Sequence, residues 1–188
     1  MDGTLCDYDS ALLRDLNLLR NPHAEPELKD IPHDGIAPWL QKRIDVICDN
    51  EHWWLNLETI GRGVQVFHFA RSMGYRMMIC TQAPRRNPNA LSGKKRWLDK
   101  HFGVDLDFTL TRDKGLVYGR VLMDDYPKYI LRWLAWRPRG LVIMPSRKWN
   151  LSFSHSQVVR LDDSDESLFA VLEALKKQFL FPEENEKD

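Results

Sequence analysis

The sequence predicts an α/β protein built on a doubly wound parallel sheet, with a small helical insertion near its start. Three observations carry that prediction. Short apolar runs recur at 75–81, 106–111, 121–124, 141–144 and 157–161. Segments with apolar residues at helical spacing lie between most of them. Several of the runs are nearly continuous rather than alternating, the pattern of strands covered on both faces, and strands that alternate with helices pair in parallel.

The elements follow in order. Residues 9–20 carry Leu12, Leu13, Leu16 and Leu19 at helical spacing, with Asp9 or Ser10 to cap the start. Residues 21–38 hold four prolines and read as a loop or broken helices. Leu40, Ile44 and Ile47 return to helical period over 39–48, and the aromatic stretch 51–58 reads as irregular. Residues 9–58 are therefore expected to form a helical cap. Ile60, Val64 and Phe67 then start a helix that stops near Gly74, before the strand 75–81. A helix over 92–102 ends at Gly103, and strands follow at 106–111 and 121–124. Pro127 suits the first turn of a helix running to about Trp136. Strands at 141–144 and 157–161 precede a last helix, which starts near Ser164 and carries Leu168, Val171, Leu172 and Leu175. The expected organisation is a core of 1–8 and 59–182, a cap of 9–58 and a charged tail of 183–188.

Composition narrows the function. A chain of 188 residues suits one domain with a small insertion. Its 27 basic and 27 acidic residues cancel, which leaves no overall electrostatic footprint for a nucleic-acid polymer or an anionic membrane. A small nucleotide needs only a local positive site and stays open. Cys6, Cys48 and Cys80 are odd in number and lack CxxC spacing, which points to reduced thiols and a cytoplasmic setting. No apolar run reaches membrane-spanning length, and no signal-like segment opens the chain.

In parallel sheets, ligands bind beyond the carboxyl ends of the strands. That places chemistry at Thr81, at 111–114, at Asp124-Asp125 and near Pro145-Ser146, with Asp2 joining if a strand precedes it. Two adjacent carboxylates repel each other in a confined site unless a hard cation such as Mg²⁺ relieves them. Each residue also has a plainer use. Asp125 suits the cap of the helix at Pro127, Thr81 suits a turn before Pro84, Lys114 suits a solvated surface and Asp2-Gly3 suits a turn.

Taken together, Asp2-Gly3-Thr4-Leu5, the strand-end Thr81, Lys114 and Asp124-Asp125 match, in that order, the four motifs of the haloacid dehalogenase-like superfamily. Residues 110–117 followed by 122–125 resemble the stretch joining motifs three and four in the 5'(3')-deoxyribonucleotidases. Trp53-Trp54-Leu55-Asn56-Leu57-Glu58 is similar to the aromatic pair and Leu-Glu of that family's cap. Ile79-Cys80-Thr81 and 95–103 follow the family in content and spacing. The resemblance covers nearly the whole chain, is most specific over 106–126 and is weakest over 20–50.

The resemblance implies a haloacid dehalogenase-like Rossmannoid core and a Mg²⁺-dependent phosphatase acting on nucleoside monophosphates through an aspartyl-phosphate. It gives Asp2 the general acid and base role, and Thr81 and Lys114 the phosphoryl oxygens. It gives Mg²⁺ to Asp2, Asp124 and Asp125. Tyr8, Trp53 and Trp54 would form a slot for the base, although the two tryptophans suit the cap's own core equally well. Trp133 and Trp136 read as packing residues, and Arg85-Arg86 as an exposed loop pair. A homodimer is compatible with the resemblance, although no apolar stripe in the sequence marks an interface.

Two departures stand out. Gln82 replaces the usual serine beside the motif-two threonine, which reshapes the pocket and bears on substrate preference. The motif's nucleophilic aspartate falls one position before Met1, so translation is expected to start upstream. Losing the central strand would strand several backbone groups at about 1–3 kcal/mol each. Two alternatives remain open at this point: a phosphatase of the same superfamily acting on another small phosphomonoester, and a silent phosphate-ligand binder or interaction protein.

Overall fold

The structure, a computed structural model, describes residues 1–32, 35–82 and 87–180. In chain order the helices are α1 Tyr8–Leu18, α2 Pro38–Cys48, α3 Glu51–Leu55, α4 Gly61–Ser72, α5 Pro88–Phe102, α6 Pro127–Leu134 and α7 Asp165–Leu180. The strands are β1 Met78–Thr81, β2 Asp107–Leu110, β3 Val121–Met123, β4 Leu141–Pro145 and β5 Val158–Leu161. Short 3-10 turns occupy Lys114–Leu116 and Lys148–Asn150. Every pairing between these strands is parallel, as the alternation of apolar runs and amphipathic segments predicts.

Two compact units divide the chain. The first comprises Met1–Thr59 and Met78–Arg112. In it β1 pairs with β2 from Met78 opposite Asp107 to Thr81 opposite Leu110. Helix α5 packs on α3 at very close range. A Cβ on Gly93 would lie 2.6 Å from the Trp54 Cβ and 2.7 Å from the Glu51 carbonyl oxygen, so only glycine fits there. Trp97 is buried on the next turn and donates its indole N–H to the Leu57 carbonyl at 2.8 Å.

The second unit comprises Ile60–Met77 and Asp113–Asp188. Its sheet has the order β3-β4-β5, and all five residues of the central strand β4 are buried. One apolar cluster joins Val66 and Ala70 of α4 to Ile143 and Leu161 of the sheet and to Val171 and Leu175 of α7. Another joins Ile130, Trp133 and Leu134 of α6 to Val142 and Met144. Burial on both faces explains why β4 reads as an unbroken apolar run.

Several local expectations change. Asp7, not Asp9 or Ser10, caps α1, accepting the Ser10 amide at 3.3 Å. The stretch expected to be irregular contains α3, nucleated by Asn50, whose side chain accepts the His52 amide at 3.0 Å. Helix α5 starts at Pro88, earlier than its apolar period shows, because Asn87 caps it and proline suits its first turn. Trp133 is a packing residue at 2% exposure, but Trp136 is not, at 80%. Arg85-Arg86 and the tail 183–188 lie outside the described residues.

Candidate active site

The first unit gathers a carboxylate, a hydroxyl and an ammonium. Asp2 stands in a tight loop closed on the Met1 carbonyl, which accepts the amides of Leu5 at 2.8 Å and of Thr4 and Cys6 at 3.2 Å. The Thr4 hydroxyl adds a fourth bond to the same oxygen at 2.9 Å. Gly3 makes the turn at φ +67°, a left-handed value that side chains with a Cβ resist. Thr81 closes β1 and is buried.

Lys94 comes up from α5, at 1% exposure. Its Nζ donates to Asp2 Oδ2 at 2.5 Å, to the Gln82 carbonyl at 2.6 Å and to Thr81 Oγ1 at 3.4 Å. It also lies 4.5 Å from the centroid of the Trp54 ring, within cation–π range. Burial is the largest single influence and pushes the Asp2 carboxyl up, but the Lys94 ammonium, the Met1 amino group and hydrogen bonds from Lys94 and Cys6 together bring the net shift down.

Sequence reasoning passes over Lys94. It sits in a Lys94-Lys95-Arg96 run that reads as a solvated helix face, and Lys95 and Arg96 do take helix-surface and exposed partners, Asp99 and Glu51. The available signal was the glycine before it. Gly93 brings α5 against α3, so the next side chain emerges in the interior.

Beside this cluster lie three aromatic rings. Tyr8 stacks on Trp54 at 5.4 Å and meets Trp53 edge-on at 5.5 Å. Trp54 is fully buried, donates to the Cys48 carbonyl at 2.9 Å and has both Tyr8 and Lys94 against its ring. Trp53 keeps partial exposure and donates to Asp15 Oδ2 at 2.6 Å. Trp54 thus serves as the floor of the aromatic group, and Tyr8 and Trp53 as its accessible members. Burial raises the Tyr8 hydroxyl well above its ordinary value and pushes the neighbouring Cys48 thiol up to about 11, so both stay protonated at neutral pH.

The second unit holds the acidic pair just beyond β3. The Asp124 amide donates to the Ile143 carbonyl at 3.1 Å, and its Oδ1 accepts the Tyr126 amide at 3.0 Å. Its Oδ2 accepts from Lys114 Nζ, which also lies 5.2 Å from the Tyr129 ring centroid. Asp124 and Lys114 are both buried, so Lys114 is not the solvated charge that its residue type alone suggests. Asp125 does not cap α6. That helix has Tyr126 at its N-cap and no side-chain capping bond.

The two carboxylates differ in balance. Asp124 has the Lys114 ammonium against it, whereas burial and the Asp124 charge push Asp125 up to about 7. A carboxylate raised by burial and a like charge has a deficit of positive charge near it. That suits a hard divalent cation with oxygen preference. No group of three or more His, Cys, Asp or Glu side chains gathers as a metal cage among the described residues. Mg²⁺ does not require one, since it is held by one or two carboxylates together with water and phosphate oxygens.

Comparison with known proteins agrees with the motif order. The profile of the family described as 5' nucleotidase, deoxy (pyrimidine), cytosolic type C protein matches residues 1–174. A Bordetella pertussis protein provisionally named 5'(3')-deoxyribonucleotidase is 30% identical over 133 residues, 67% of this chain and 71% of that protein. The human cytosolic-type 5'(3')-deoxyribonucleotidase is 26% identical over 175 residues, 82% of this chain and 87% of the human one. The mouse mitochondrial 5'(3')-deoxyribonucleotidase is 26% identical over 137 residues, 68% of this chain and 62% of the mouse protein.

Proposed function

The chain belongs to the 5' nucleotidase, deoxy (pyrimidine), cytosolic type C family of the haloacid dehalogenase-like superfamily, and from that premise we propose that it is a Mg²⁺-dependent hydrolase of nucleoside monophosphates. The observation that carries this reading is the convergence of Asp2, Thr81 and Lys94 at the end of β1. A buried ammonium beside a hydroxyl and a carboxylate is a place for a phosphoryl group to be bound and for its ester oxygen to be protonated.

In the proposed reaction, which follows the family's pattern of an aspartate two positions ahead of the motif's second one, that carboxylate attacks phosphorus in line, forming an aspartyl-phosphate. Asp2 protonates the departing ribose oxygen and then takes a proton from the water that cleaves the acyl phosphate. Lys94 and the Thr81 hydroxyl hold phosphoryl oxygens and balance the charge that builds on them. Asp2 carries its proton poorly while paired with Lys94. A bound phosphate dianion replaces Asp2 as the partner of the ammonium, and the Asp2 carboxyl is then free to rise toward the value that burial favours. Lys114 fixes Asp124, and Asp124 with Asp125 would hold Mg²⁺. A cation bound there would supply a Lewis-acidic positive charge for phosphate chemistry.

Tyr8 and Trp53 provide the aromatic surface for the base, supported from below by Trp54. Gln82, beside Thr81, shapes the phosphate end of the pocket. Residues 9–58 are read as the cap that carries most of this aromatic surface. No described helix is long and apolar enough to cross a membrane. All three cysteines are free, which supports a cytoplasmic location as part of this proposal.

The test is phosphate release from deoxyribonucleoside monophosphates by the protein expressed from its native gene, with the intact mass recorded. Release is expected to need Mg²⁺ and to fall by about 10²–10⁴-fold in Asp2→Asn, the range typical of a lost general acid. Undiminished turnover in Asp2→Asn, or in the presence of a chelator, would sink the reading.

A further inference from the structure

The acidic turn after β3 is held from behind by one buried amide. Asn150 has no solvent exposure. Its Nδ2 donates to the Asp125 carbonyl at 2.8 Å and to the Pro145 carbonyl at 2.9 Å. Its Oδ1 accepts the Arg147 amide at 3.0 Å and Arg160 Nη1 at 2.7 Å. Both donors and both lone pairs of the amide are thus used, and each faces a partner of the opposite kind, so the side chain has one orientation.

Arg160, on β5, is the second layer. It donates to the Asn150 side chain and, through Nη2, to the Asn150 carbonyl at 2.5 Å and to the Phe153 carbonyl. Three strand ends therefore meet at one side chain: the turn after β3 through Asp125, the end of β4 through Pro145, and β5 through Arg160. Asp124 is fixed separately, by Lys114 and by the Tyr126 amide. The described structure gives Asp125 no comparable side-chain anchor. Its backbone carbonyl is the point at which it is held.

We infer that Asn150 is a positioning residue for the cation site, and that with Arg160 it sets where the Asp125 carboxylate stands relative to Asp124. The inference rests on the reading that Asp124 and Asp125 hold Mg²⁺. Buried partners of this kind, one step removed from the ligands, typically contribute about 10–100-fold in metal affinity. Asparagine meets the need because the site requires two donors and two acceptors on one short, uncharged side chain.

The experiment is Mg²⁺ titration by calorimetry in the absence of substrate, on wild type, Asn150→Asp and Arg160→Met, with thermal melting of each. Asn150→Asp keeps the shape and the acceptor side, but turns a carboxylate oxygen toward two carbonyl oxygens. It also adds a negative charge near the acidic pair, so a bulk electrostatic effect would tighten Mg²⁺ binding. Positioning predicts the opposite: a dissociation constant raised about tenfold or more. It also predicts a matching rise in the Mg²⁺ concentration needed for half activity and a much smaller change in kcat at saturating Mg²⁺. Unchanged or tighter binding by the folded variant, whatever its melting temperature, overturns the inference. Should Asn150→Asp fail to fold, Arg160→Met carries the test. It leaves the amide in place without its anchor and is expected to weaken Mg²⁺ about two- to fivefold, a fraction of that range. Unchanged affinity there also overturns the inference. Wild-type protein that binds no Mg²⁺ would remove the cation reading itself, an outcome distinct from wild type and variants binding alike.

Discussion

Among the described residues, each unit joins one buried lysine to an aspartate, and these two pairs look alike but differ in what surrounds them. In the first unit Lys94 is buried, but the Asp2 side chain keeps 31% exposure. In the second, Lys114 and Asp124 are at 11% and 1%. Lys94 also serves a strand-end hydroxyl and a carbonyl, so its ammonium stays held if Asp2 lets go. Lys114 lies between Asp124 and the face of Tyr129. In the proposed reaction the half-open pair exchanges its carboxylate for an incoming phosphate. The closed pair fixes one acid, while burial and the Asp124 charge push its neighbour Asp125 up to about 7. On that proposal, one residue pairing serves as an exchangeable contact in one place and as a rigid support in the other.

Replacing each lysine by methionine separates the two roles. Lys94→Met is expected to lower kcat/KM for a nucleoside monophosphate by about 10²-fold or more, the scale of losing one preorganised charge on the transferring group. Lys114→Met is expected to act first on stability. A buried pair broken by removing one partner costs about 3–5 kcal/mol. The cost of breaking the Asp2 pair is smaller, because water reaches that carboxylate. Steady-state kinetics and melting curves on the two variants should therefore rank them in opposite orders. The same order in both measurements would break the comparison.

How well each pair could be read beforehand follows from chain separation. Lys114 and Asp124 stand ten positions apart, around one strand, and the order of motifs pointed to both. Asp2 and Lys94 are brought together across 92 positions by a helix contact, and no local pattern marks it. The parallel strands were legible because burial on both faces leaves continuous apolar runs, as in β4. Helix starts were less so: the aspartate that caps α1 and the asparagines that cap α3 and α5 lie outside the apolar period, and only the capping bond identifies them. Asn150 was not legible at all. One asparagine in a polar loop has no signature until three strand ends are seen to meet on it.

The aromatic group sharpens the comparison at the exchangeable pair. Trp53 touches Tyr8 and keeps partial exposure, whereas Trp54 carries Lys94 against its face. Trp53→Ala should therefore raise KM for nucleotides by about tenfold, from a stacking contribution of about 1–3 kcal/mol, and leave a simple aryl phosphate nearly unaffected. Trp54→Ala should impair both substrates, because it removes the floor beneath Lys94. Equal losses on both substrates for Trp53→Ala would place that ring in the cap's packing instead of the base slot.

The smallest expected effect tests the rigid pair through pH. The Asp125 carboxyl is raised from an ordinary 3.8 to about 7, so the folded protein binds this proton more tightly than the unfolded chain does. Without a cation, the stability linked to this group is fully present near pH 4, declines as pH rises toward 7, and is lost above it. Protons and Mg²⁺ compete for the same carboxylate. The rise in melting temperature caused by Mg²⁺ should therefore be slight at pH 5.5 and full at pH 8. At about a hundred times its dissociation constant, Mg²⁺ would add about 2.7 kcal/mol, which for a chain of this size corresponds to about 5–10 °C. Asp125→Asn should remove both the pH dependence and most of the shift, while Lys114 and Asp124 remain paired. A Mg²⁺-induced shift of equal size at both pH values would mean that the cation reads some carboxylate other than Asp125.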